Sequence, residues 1–141
     1  MIYFHIEDII FNLGDQENLI NWLNEVSKNE EKEIEELNYI FCSDEYLLNI
    51  NQQYLSHDYY TDIITFPYQY TPIKSDIFIS IDRVEENSSE HGSDFLEELY
   101  RVMVHGLLHM IGYDDHSKSE QLMMRQMENK YLLILPQKDQ E

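Results

Sequence analysis

Twelve residues near the C-terminal end constrain this chain more than any other stretch: His105-Gly106-Leu107-Leu108-His109-Met110-Ile111-Gly112-Tyr113-Asp114-Asp115-His116. On a helix, residues four apart lie one turn above each other, so the imidazoles of His105 and His109 converge on one point in space. A third ligand cannot come from the next turn of the same straight helix, so the chain has to stop and return. Gly112 stands where that stop belongs, because glycine reaches a positive φ at no steric cost and commonly follows a helix end. The returning segment carries Asp114, Asp115 and His116. Imidazole nitrogen and carboxylate oxygen both suit Zn²⁺ at ~2.0–2.2 Å, and three protein ligands plus a water describe a catalytic zinc site. The bland alternative, one histidine in a core and one on the surface, explains a lone histidine better than it explains this constellation.

The pattern His105-x-x-x-His109-x-x-Gly112-Tyr113-Asp114-Asp115, preceded by Val104 and followed by a helical segment with Met127-Glu128, resembles the signature of the YbeY family of metal-dependent endoribonucleases. The resemblance implies an α+β fold: a single zincin-like domain over residues 1–141, with a small mixed four-stranded sheet packed with about five helices. It also implies work in ribosomal RNA maturation and ribosome quality control. Metzincin proteases share part of the pattern but place Glu directly after the first His as general base. Here that residue is Gly106, so a peptidase is the weaker reading. Many family members carry His six residues after the second ligand. In this chain that register holds Asp115, with His116 one residue late, and after a tight turn spacing outranks residue type. The expected ligand set is therefore His105, His109 and Asp115, with His116 as the alternative to Asp115 and one Zn²⁺ per chain. A carboxylate in the set leaves less positive charge on the metal, so a bound water is less acidified than with three neutral histidines.

Two further segments carry the resemblance. Thr61-Asp62-Ile63-Ile64-Thr65-Phe66-Pro67 is similar to a family stretch usually written Thr-Asp-Val-Leu-Ser-Phe-Pro. The family commonly has Arg, a good phosphate ligand, just after the Tyr that precedes this stretch, and Leu55 follows Tyr54 here. His57 can substitute when protonated, although a solvated loop histidine is the simpler reading. Ser75-Asp76-Ile77-Phe78-Ile79-Ser80-Ile81 resembles the family's Gly-Asp-Ile strand and alternates with a period of two. This strand is expected to wall the cleft and to hold an extended substrate.

The remaining chain supplies a scaffold. Ile2 to Ile6 reads as a strand, Asp15 to Lys28 as a helix with Leu19, Ile20, Leu23 and Val26 at helical spacing, and Asn29 to Glu36 as a solvated acidic turn. Leu37 to Cys42 reads as a second strand. Ser43 or Asp44 caps a helix that runs towards Tyr54. Asp82 to Glu90 reads as a short helix and His91 to Ser93 as a loop. Asp94 with Glu97, and Ser117 with Glu120, form capping boxes. Phe95, Leu99, Val102, Met103 and Leu107 give the first of those helices a core stripe; Met123, Met124, Met127 and Tyr131 do so for the second. His5 and His91 are read as having no metal role. Pro136 and the polar tail are expected to end the fold.

Composition narrows the function. The chain has 141 residues, and nine Lys plus Arg against 28 Asp plus Glu give a formal charge of −19. That balance excludes the broad basic surface with which a protein grips duplex DNA or RNA by counterion release. It suits docking on a basic ribosomal protein, or on a ribosomal particle whose other subunits supply positive charge. A single cysteine, Cys42, excludes an intrachain disulfide, and no Lys or Arg precedes Lys28. With no long apolar run, these features lead to the expectation of a cytoplasmic protein away from the membrane. The expected function is a single-strand-specific, zinc-dependent endoribonuclease acting on ribosomal RNA, with a zinc-polarised water attacking a phosphodiester. No Glu follows His105, so no general base is assigned; Asp114 is the candidate. A ribosome-assembly factor with a mainly structural metal site, and a zinc peptidase, are the alternatives.

Overall fold

A computed structural model of the chain describes residues 1–135. The Pro136 tail lies outside the described residues. Strand β1 (Ile2–Ile6) is followed by helix α1 (Gln16–Asn29), and strand β2 (Ile34–Cys42) by helix α2 (Asp44–Leu55). Strands β3 (Ile63–Tyr70) and β4 (Ile73–Ser80) form a hairpin across Thr71–Pro72. Helices α3 (Ile81–His91), α4 (Phe95–Ile111) and α5 (Lys118–Leu133) complete the described chain. The sheet order is β1-β2-β4-β3, with β1, β2 and β4 parallel and β3 antiparallel to β4. The architecture is the α+β arrangement expected from the sequence, a mixed four-stranded sheet with five helices.

Alternation along the strands divides the core. Leu37, Tyr39 and Phe41 of β2 and Ile73, Ile77 and Ile79 of β4 are wholly buried in the main cluster, with Trp22 and Leu23 of α1 and Leu99, Met103 and Leu107 of α4. The opposite face has a smaller cluster in which Cys42 and Ile64 meet Leu47 and Ile50 of α2. Two buried side-chain bonds fix the helices. The Tyr39 hydroxyl donates to the Met103 carbonyl at 2.8 Å, tying α4 to the sheet, and Trp22 Nε1 donates to the Tyr131 carbonyl at 2.8 Å, tying α5 to α1.

The helix starts follow their caps. Asp15, Ser43, Ser80, Asp94 and Ser117 each accept from the backbone N–H three residues on. Ser117 and Glu120 make the full reciprocal box, whereas Asp94 and Glu97 form only its forward half.

Several boundaries differ from the sequence expectation. The turn expected over Asn29 to Glu36 is shorter, because Ile34 already pairs with Ile73. Ile81 opens α3 instead of closing β4, since Ser80 caps the helix. His91 is the last residue of α3, not a loop residue, and it remains exposed. Met123 is 47% exposed and takes no part in the core, whereas Met124 and Tyr131 are buried. The largest difference concerns the sheet edge. The Ser75–Ile81 strand expected to wall the cleft is an inner strand, hydrogen-bonded on both sides by β2 and β3, and the edge position belongs to β3.

Candidate metal centre

Helix α4 is buried nearly all round from Arg101 onward. The half-exposed positions before its last residue are Arg101, His105 and His109, spaced i, i+4, i+8 along one stripe. Seven apolar side chains, Leu99, Val102, Met103, Val104, Leu107, Leu108 and Met110, are buried around that stripe. At roughly 1.5–3 kcal/mol each, they outweigh the ~1 kcal/mol that Gly106 costs inside a helix. Gly106 is there for space: a Cβ at this position would meet Ile63 Cδ1 at 3.0 Å and Ile77 Cδ1 at 3.0 Å. The residue after the first histidine thus faces the sheet, where no glutamate base fits.

The turn works as its glycine suggests. Gly112 has φ 129°, and the N–H groups of Gly112 and Tyr113 reach back to the Leu108 carbonyl at 3.1 and 3.0 Å. Glu30, at the end of α1, then holds the returning segment. One carboxylate oxygen accepts from the Tyr113 hydroxyl at 2.8 Å and the other from the Tyr131 hydroxyl. Burial, reinforced by that bond, pushes the Tyr113 hydroxyl up to about 12.

This return brings Asp115 to the histidine pair. His105 Nε2 and His109 Nε2 are 3.0 Å apart, and Asp115 Oδ2 is 3.5 Å from each. Tetrahedral ligands at ~2.0–2.2 Å from one centre are about 3.3–3.6 Å apart. The two Asp115 distances fall in that range and the histidine pair is a few tenths of an ångström closer, so a small transition metal fits once the two rings part slightly. Among the described residues this is the one His/Cys/Asp/Glu group of three that meets a metal-site geometry. His116 lines the same cleft but stands outside the group and is exposed. Asp114 also lines the cleft and is exposed.

Charged partners behind the histidines set their states. Glu128 of α5 accepts from His105 Nδ1 at 2.6 Å and from Arg101 at 3.0 Å. Burial of His105 opposes its charge, but the Glu128 bond and charge outweigh burial, and the His105 pKa is raised. For Glu128 burial raises the pKa, yet the bonds from His105 and Arg101 prevail and hold it low. His109 is lowered by burial and by the neighbouring His105 charge, against Asp115 and a backbone bond at Tyr113. With Nδ1 of His105 held by a carboxylate, its Nε2 is turned to the other histidine and Asp115. In the neutral ring that nitrogen is the one left with a lone pair, a recurring support for a ligating histidine.

The cleft has a volume of about 510 Å³. One wall is the β3 segment, through Thr61, Asp62, Ile63, Thr65, Pro67 and Tyr70; the other is His105, His109, Met110 and the return segment. Among the described residues no Lys or Arg lines it. Asp62 is half-buried, and burial raises its carboxyl pKa. Leu55 and His57 are not among the lining residues; the His57 ring stacks on Tyr59, centroids 5.1 Å apart. The sequence reading missed two contributors. Glu128 stood beside Met127 in the motif without a role, and its partner is 23 residues away on another helix. Asp62 stood within the Thr61–Pro67 stretch without a role of its own.

A family model described as Endoribonuclease YbeY matches residues 4–135. The protein named Endoribonuclease YbeY in Cytophaga hutchinsonii is 50% identical over 135 residues, 94% of either chain. Its namesake in Flavobacterium psychrophilum is 48% identical over 135 residues, 95% of this chain and 96% of that one. A Thermotoga maritima protein solved in solution superimposes with a TM-score of 0.71 at 32% identity, over 94% of this chain and 87% of that one. The histidine pair on a buried helix and the glycine turn that returns Asp115 to it lie within the matched span. With relatives matching over nearly their whole length, the chain belongs to the YbeY endoribonuclease family.

Proposed function

We propose that the chain, as one hydrolase domain over 1–141, is a zinc-dependent endoribonuclease that cuts single-stranded RNA in ribosomal RNA maturation and ribosome quality control. The observation that carries the reading is the convergence of His105 Nε2, His109 Nε2 and Asp115 Oδ2 at one end of a cleft. His105, His109 and Asp115 would hold one Zn²⁺, an ion suited to an N,N,O donor set. When bound, such a metal supplies Lewis acidity and a water that reacts at neutral pH. Glu128 fixes the His105 ring and its tautomer. Asp114, exposed at the cleft mouth, is free to take a proton at its carboxylate from the attacking water. Asp62 keeps the opposite wall polar beside Ile63. The peptidase alternative loses support because the position of its base, Gly106, is packed against Ile63 and Ile77.

The reading extends to place. A chain of charge −19 acts on RNA that basic ribosomal proteins partly neutralise, in the cytoplasm where ribosomes mature. Among the described residues no helix is long and apolar enough to cross a membrane. The test is metal content together with cleavage of a defined single-stranded RNA, with His105→Ala as blank. One zinc per chain and cleavage that disappears in the variant are expected. Zinc retained by the wild type with no cleavage would transfer support to an assembly factor with a structural metal.

A further inference from the structure

The cleft contains a feature that the metal does not explain. Along β3, Ile63, Thr65 and Pro67 line the cleft, whereas Ile64 and Phe66 pack on the opposite face with α2 and Phe78. Strict alternation would send residue 70 to that opposite face. The β3–β4 register shifts by one between Pro67 and Gln69, so Pro67 pairs with Ser75 but Tyr70 with Ile73. Ile73 is wholly buried in the main core, on the α4 side of the sheet. One extra residue in β3 therefore turns Tyr70 back into the cleft, the kind of re-aiming for which bulges beside functional sites are known.

Tyr70 is also the cleft's uncommitted aromatic. The hydroxyls of the neighbouring exposed tyrosines are engaged: Tyr59 with His57, Tyr60 with Glu45 and Tyr68 with Asp76. The Tyr54 ring leans on Phe66. Tyr70 is 57% exposed and has neither a side-chain hydrogen bond nor a ring partner among the described residues. With no Lys or Arg lining the cleft among the described residues, a strand of RNA finds no cationic side chain there to grip its backbone. Stacking on an aromatic face needs no charge and accepts any base.

We propose that Tyr70 is a base-stacking platform, on which a nucleobase of single-stranded RNA lies while a neighbouring phosphodiester occupies the His105, His109 and Asp115 end of the cleft. Pro67 and Met110 add apolar lining. This inference rests on the reading of the cleft as an RNA site. An edge strand also accepts extended peptides, and the experiment separates the two.

The zinc-loaded protein is titrated against a short 2′-O-methyl RNA strand carrying 2-aminopurine, and cleavage of the unmodified strand is measured in parallel. Wild type, Tyr70→Phe and Tyr70→Trp should quench the fluorophore. Tyr70→Ala should bind about tenfold more weakly, with KM raised to match, kcat nearly unchanged and zinc affinity intact. Unaltered affinity and KM in Tyr70→Ala, beside a wild type that binds and cleaves, would overturn the platform and leave the nuclease reading standing. Loss of zinc from Tyr70→Ala would overturn it by showing a structural role. A wild type that neither binds nor cuts RNA, yet binds an extended peptide, would overturn both.

Discussion

His105 is held by a carboxylate and would also ligate the proposed metal, and the two make opposite demands on its proton. Ligation needs a bare Nε2, whereas Glu128 stabilises the imidazolium and raises the pKa above the ordinary 6.5. In the metal-free protein the proton is thus held to a higher pH, and apparent zinc affinity should fall as pH drops through that raised value. Glu128→Gln removes the charge, so the onset of the fall should move to lower pH. The same change loosens the ring, and affinity at pH 8 should drop about 10–100-fold. Chelator competition across a pH series measures both effects; an identical onset in the two proteins would show that Glu128 does not tune His105. The third ligand is tested in the same way. Asp115→Ala should lose zinc far more readily than His116→Ala, and Asp115→His should keep it, because Asp115 is the residue 3.5 Å from both imidazole nitrogens. A larger loss in His116→Ala would reverse that choice. This candidate group is legible in the sequence because its members are local, one helical turn and one glycine apart. Glu128 is not, because its effect depends on how α5 packs against α4.

The elements explain why position 106 is glycine. Helix α4 lies so close to the sheet that even one methyl group would crowd Ile63 and Ile77. Gly106→Glu should therefore lower stability by roughly 3 kcal/mol or more, through overpacking and a buried charge, and should create no peptidase activity. Denaturant unfolding with a peptide-cleavage assay checks this; a stable, peptide-cutting variant would mean that the residue can swing into the cleft. The sequence reading made the Ser75–Ile81 strand the cleft wall and gave the Thr61–Pro67 stretch no place in the sheet, because strand order in a sheet depends on crossovers that no local pattern records. The β2–β4 pairing places β4 inside and leaves β3 as the wall. The bulge after Pro67 was equally hidden, since it is a property of the pairing and not of either strand alone.

At the scale of the molecule, charge decides how RNA can be held. Against a formal charge of −19, the arginines are already committed: Arg83 to Asp44, Arg101 and Arg125 to Glu128. Among the described residues no Lys or Arg lines the cleft. A protein that grips many phosphates loses single-strand affinity steeply with salt, with a log–log slope of about −0.7 per phosphate. Here the slope should stay shallower than about −1.4, equivalent to two phosphates, and moderate salt should help by screening the protein's own repulsion. Stacking and metal contact survive that screening, so affinity that depends on them should be nearly flat across the series. Presentation of the same RNA within a ribosomal particle should raise cleavage, because neighbouring basic proteins supply the charge this chain lacks. The measurement is cleavage of free and particle-bound RNA across a salt series at fixed zinc. Tight binding of free RNA with a steep negative slope would reveal a phosphate-gripping surface elsewhere on the molecule and would remove the reason for requiring the particle.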